Sequence, residues 1–116
     1  MQISRIRATW PFQALADEIR FRVCRLLVAT GQDVIAGTLA RVLGIPSSHL
    51  SKHLQILEAA GLVSMVKAGR FRRARASTSN GVNDSIFAAV LSSDDTEAVF
   101  SGDLARYLAC FAQDVE

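Results

Sequence analysis

The sequence predicts a mainly α-helical chain carrying one small β-hairpin, an α+β fold in a single domain. Three observations lead there. Two amphipathic helical patterns, Val34–Leu43 and Pro46–Ala60, follow each other across a Gly44-Ile45-Pro46 break. Two short extended runs, Leu62–Val66 and Arg70–Ala76, are joined by Lys67-Ala68-Gly69. The last third of the chain then returns to apolar residues at helical spacing. With 116 residues, 50% of them hydrophobic, the chain can build one modest core but not two.

Each element has its own warrant. A second helix, after Trp10, Pro11, Phe12 and Leu15, runs through Val23, Cys24 and Leu27. In Val34–Leu43, Ile35, Leu39 and Val42 share one face. Gly44 can take the positive φ that ends this helix, and Pro46 suits the first turn of the next. That spacing is a helix-turn-helix. In the following helix Leu50, Leu54 and Leu57 recur at i, i+4 and i+7, one buried stripe, while Ser48, His49, Lys52 and Gln55 share another face. A face of short donors and acceptors with one cation can enter a major groove, whereas an ordinary solvated helix carries denser Glu/Lys pairing. The extended runs then form a wing. Beyond it, Ile86, Phe87, Val90 and Leu91 predict a short helix, and Leu104, Leu108, Phe111 and Val115 a longer one.

Charge is distributed unevenly. Residues 1–79 hold twelve Lys/Arg against four Asp/Glu, a net +8, whereas residues 80–116 hold one Arg against seven acids, a net −6. Residues 10–79 are thus read as a basic winged helix-turn-helix body and residues 80–116 as an acidic helical segment. Lys67, Arg70, Arg72, Arg73 and Arg75 lie in or beside the wing, where a hairpin can lay cations along a phosphate backbone. Strand alternation separates Arg70 and Arg72 from Arg73 and Arg75, so not all can face one DNA strand. No apolar run reaches the roughly 18 residues a membrane helix needs. The stretch Met1–Arg7 lacks the apolar block of a secretion signal, and two cysteines without such a signal suggest a reducing cytosol.

Residues 17–76 resemble the ArsR family of bacterial winged-helix repressors. The matching segments are Ala14–Val23, Leu39–Ile45, Ser48–Leu57, Ala60–Val63 and the wing Gly69–Arg75, with the Ser51-Lys52-His53-Leu54 run through Ala60-Gly61-Leu62-Val63 the most specific. The resemblance implies a homodimer joined through terminal helices, with Trp10, Pro11, Phe12 and Leu15 contributing from the N-terminal side. Two recognition helices about 34 Å apart would then read a pseudo-palindrome in double-stranded operator DNA.

Expected DNA contacts are Ser47, Ser48, His49, Ser51, Lys52 and Gln55 on the helix and Arg70, Arg72 and Arg73 on the wing. Lys52 suits a guanine edge or a phosphate, and Ser51 either contacts a phosphate or simply permits close approach. His53 borders the buried stripe and reads as a packed or hydrogen-bonding residue. The i, i+4 pair His49 and His53 lacks a metalloprotease glutamate and has Lys52 between its members, so no metal site is expected there.

The familiar metal ligands of the family are missing. Asp33–Thr38 contains no cysteine, and the last helix contains no histidine. Cys24 reads first as a small buried hydrophobe. With Cys110 it could instead form a disulfide or polysulfide, as in members that sense oxidants or reactive sulfur, or hold arsenite. In those members the first cysteine falls about one residue later, some 100° round a helix. No cofactor and no catalytic constellation is expected. A protein-docking winged helix and a sequence-blind architectural DNA-binding protein are the alternatives to an inducible repressor.

Overall fold

The computed structural model describes residues 6–78 and 81–114. Residues 1–5 of the N-terminal stretch, the 79/80 boundary between body and tail, and Val115 lie outside them. After a 3-10 turn at Arg7–Thr9 come α1 (Trp10–Leu15), α2 (Glu18–Thr30), β1 (Val34–Ile35), α3 (Ala36–Leu43) and α4 (Ser47–Ala59). The hairpin strands β2 (Val63–Ala68) and β3 (Phe71–Ala76) follow, then α5 (Gly81–Leu91) and α6 (Val99–Asp114).

Local chemistry sets the helix ends. The Asp17 side chain accepts from the Arg20 amide at 3.1 Å and caps α2, whose other end closes at Gly31 with φ 63°. Gly44, with φ 68°, closes α3 in the same way, and the Ile45 amide reaches back to the Ala40 carbonyl at 3.1 Å. Pro46 stands one residue earlier than expected. It is the extended N-cap of α4, and its carbonyl accepts from the His49 and Leu50 amides at 3.0 and 3.1 Å.

Two further expectations need correction. The helix predicted from Val34 starts at Ala36. Val34 and Ile35 instead form β1, which pairs antiparallel with β3, Val34 with Ala74 and Ile35 with Arg73. These β-branched residues follow a helix that has already ended at Gly31, and the free edge of β3 offers them hydrogen bonds. The sheet therefore has three strands in the order β1-β3-β2. The wing turn is also tighter than the predicted Lys67-Ala68-Gly69. Ala68 pairs with Phe71, leaving Gly69 and Arg70 as a two-residue loop whose first residue has φ 63°.

The core lies between α2, α3, α4 and the inner face of the sheet. Leu26, Leu27, Leu39, Leu50, Leu54, Leu57, Leu62 and Ala74 are essentially inaccessible, and Ile86, Phe87, Val90 and Tyr107 extend the core under the C-terminal helices. Each buried leucine contributes about 1.5–3 kcal/mol. Buried Asn83 ties α5 to the base of the hairpin by donating 2.8 Å hydrogen bonds to the Gly61 and Ser77 carbonyls.

Of the apolar stripe expected on α6, Leu104 is half-buried against the core and Leu108 is 56% exposed, and the Phe111 side chain lies outside the described residues. The helix also turns Asp103, Tyr107 and Cys110 inward. A charged clamp seats it. Asp103, 1% exposed, accepts from Arg22 Nε and Nη2 at 3.1 and 2.8 Å and from Arg106 Nη2 at 2.7 Å. Arg106 also donates to the Val42 carbonyl at 2.9 Å, so α6 is fastened to both α2 and α3. The Asp103 carboxylate raises the Arg22 guanidinium pKa above its ordinary value, chiefly by that hydrogen bond.

Candidate nucleic-acid interface

Helix α4 divides cleanly. At 100° per residue, Leu50, Leu54 and Leu57 point into the core, each no more than 1% exposed. Ser48, Lys52 and Gln55 project from the opposite side with His49 beside them, all four exposed. Ser47 is exposed and Ser51 half-buried on the flank. No side chain caps the α4 N-terminus, and its first-turn amides favour an anion. The six expected helix contacts therefore fall on the outer surface or its margin, with one cation and no carboxylate among them.

His53 occupies the other flank and is held from below. Arg20, 6% exposed, donates from Nε to the Ala14 carbonyl at 2.7 Å and from Nη1 to His53 Nδ1 at 3.2 Å. An Nδ1 acceptor places the ring proton on Nε2. Asp17 Oδ1 is 3.8 Å from the same Nδ1. This network joins α1, α2 and α4, matching the hydrogen-bonding role expected of His53. Beside it, Trp10, Gln13, Ile56 and Gln55 line an apolar hollow of about 170 Å³ between α1 and α4.

On the wing, Arg70 and Arg72 are exposed and Arg73 is half-buried. The Arg70 guanidinium lies 5.5 Å from the Phe71 ring centroid. Arg75 donates from Nη2 to Asp33 Oδ2 at 2.8 Å, a local neutralisation the sequence did not reveal.

The cysteines occupy unlike surroundings. Cys24 is 1% exposed, and burial pushes its thiol up to about 12. A thiol so protonated at neutral pH is a poor nucleophile and ligand, which favours the packing reading. Cys110 is half-buried against the core, and both sulfurs are free. Sequence reasoning also missed Arg25. Its guanidinium is buried between the Phe21 and Phe100 rings, 5.0 Å from each centroid, and its Nε has no hydrogen-bond partner among the described residues.

Residues 15–66 match a family model described as a helix-turn-helix domain. Among solved structures, the chain is similar to HlyU from Vibrio cholerae N16961, with 24% identity, 78% of this chain and 90% of that one covered, and a TM-score of 0.62. At that identity the likeness is one of fold. Reduced HlyU from the same organism gives 26% identity, 72% and 84% coverage and a TM-score of 0.62. An ArsR-like transcriptional regulator from Rhodococcus sp. RHA1 is 32% identical, with 95% of this chain and 94% of that one covered and a TM-score of 0.57. No curated protein matches the chain.

Proposed function

The chain belongs to the ArsR family of winged helix-turn-helix transcriptional regulators, and from that premise we propose that it is a homodimeric repressor that reads a specific operator through α4. The exposed Ser48-His49-Lys52-Gln55 face, backed by three buried leucines, carries this reading. It sets base-reading groups on a rigid helix, while Arg70, Arg72 and Arg73 supply backbone affinity from the wing. Ser47 and Ser51 at the helix start suit the neighbouring phosphates. Occupying an operator excludes other proteins from that DNA, so repression needs no further chemistry. Dimerisation is supported by exposed Phe12, Val82, Leu91 and Leu108, which lie outside the α3–α4 pair and the wing.

Fluorescence anisotropy against DNA from upstream of the chain's own gene tests the reading. Lys52→Ala and His49→Ala should each weaken operator binding by about 1–3 kcal/mol, a contact's worth of base discrimination, without altering the oligomer. Operator affinity unchanged in both variants would remove α4 from the groove.

A further inference from the structure

The hollow between α1 and α4 holds about 170 Å³. Trp10, Ala14, Ile56 and Ala59 wall it with carbon, and Gln13 and Gln55 add two amides. No lining residue is ionisable, so an ion entering it would lose hydration without meeting a counter-charge. Its volume is close to the roughly 150 Å³ of an apolar cavity that accepts benzene. One ring fits, whereas a peptide helix about 10 Å across does not. The two amides narrow the choice. Gln13 Nε2 donates to the Thr9 hydroxyl at 3.1 Å, which leaves Oε1 of the same amide as an acceptor without a hydrogen bond among the described residues. Gln55 is exposed and carries both a donor and an acceptor.

We propose that this hollow binds a neutral molecule of one aromatic ring bearing a hydroxyl, a phenol, and that the bound phenol competes with operator DNA for Gln55. The ring packs on Trp10 and Ile56, and the hydroxyl donates to Gln13 Oε1 while accepting from the Gln55 amide. Gln55 belongs both to this lining and to the exposed face of α4 proposed to read bases. An amide engaged by phenol is withdrawn from the groove, so phenol and operator lower each other's affinity by the same factor. The competition rests on the DNA-binding reading above, whereas the binding of phenol does not.

Trp10 is the chain's only tryptophan and lines the hollow, so its emission reads the site directly. Phenol is titrated into the full chain while that emission is followed, with toluene and benzoate in parallel, and then into the operator complex followed by anisotropy. Ala59→Leu tests the place. Ala59 is exposed at the end of α4, so a leucine there lies across the hollow without entering the core and keeps a good helix former.

Phenol should give a saturable change in Trp10 emission, toluene a weaker one for want of the hydroxyl, and benzoate none. Ala59→Leu should abolish the change at an unaltered unfolding temperature. Saturating phenol should lower wild-type operator affinity about tenfold, an ordinary coupling between two sites, and leave the affinities of Ala59→Leu and Gln55→Ala where they were. No saturable change, an equal change in Ala59→Leu, or benzoate binding as tightly as phenol would overturn the site. Emission that shifts with protein concentration, together with a phenol response confined to the dilute chain, would give the hollow to a second copy and equally overturn it. Phenol bound at Ala59 with operator affinity untouched would overturn the competition and leave the repressor reading standing. A chain that binds no operator overturns the repressor reading, and the Trp10 titration then decides the phenol site on its own.

Discussion

Removing the carboxylate of Asp103 leaves Arg22 and Arg106 facing each other with nothing between them. Because Asp103 is 1% exposed and accepts from both, Asp103→Ala should cost about 3 kcal/mol, the low end for a broken buried pair since Arg106 is half-exposed. Urea unfolding checks this, and a loss below about 1 kcal/mol would reduce the clamp to a surface contact. Cys24 makes a second residue-scale prediction. With its thiol pushed up to about 12, iodoacetamide at neutral pH should alkylate Cys110 first and Cys24 only on unfolding. Rapid native labelling of Cys24 would restore a thiol sensor. The leucine stripe of α4 was legible because a 3.6-residue period leaves few alternatives. Asp103 was not, since a carboxylate on an apolar stripe looks like an exposed position until its arginine partners on other turns are known.

Among the elements, α4 and the hairpin could be read from sequence, while β1 and the clamp that seats α6 could not. A two-residue strand has too few side chains to show a period, and its pairing depends on an edge far along the chain. The start of α6 rests on Asp95, whose carboxylate accepts from the Phe100 amide at 2.8 Å and from Ser101 at 3.1 and 2.8 Å. The Phe100 bond above all holds its pKa below the usual carboxylate range. A depressed folded pKa gives a contribution that is present above the unfolded value of about 4 and lost as pH falls below it. Asp95→Asn should therefore lessen the acid sensitivity of α6, followed by amide hydrogen exchange of its first turn. Identical acid profiles in wild type and variant would mean that this cap is not formed in solution.

At the scale of the molecule, the uneven charge of the sequence has a second meaning. Residues 80–116 read as an acidic segment, yet Asp103 is spent on α2 and Asp95 on the first turn of α6. Part of the tail's charge thus holds the chain together. The proposed self-association surface is apolar. Phe12 and Leu108 are 61% and 56% exposed, so Phe12→Asp and Leu108→Asp together should shift sedimentation from dimer to monomer while leaving the helical spectrum unchanged. A dimer undisturbed by both would place the interface elsewhere, with Val82 and Leu91 of α5 next to be tested.

The pairing of β1 with β3 gives the wing a role in folding. Val34 opens the helix-turn-helix, but its strand partner Ala74 is made only after the recognition helix and the wing loop. The helix-turn-helix and the wing are thus stitched by a non-local contact, which places them in one cooperative unit and delays completion of the motif until β3 is present. A nascent chain ending before β3 holds α3 and α4 without the strand that ties β1 to the hairpin, so the motif is completed late and nearly all at once.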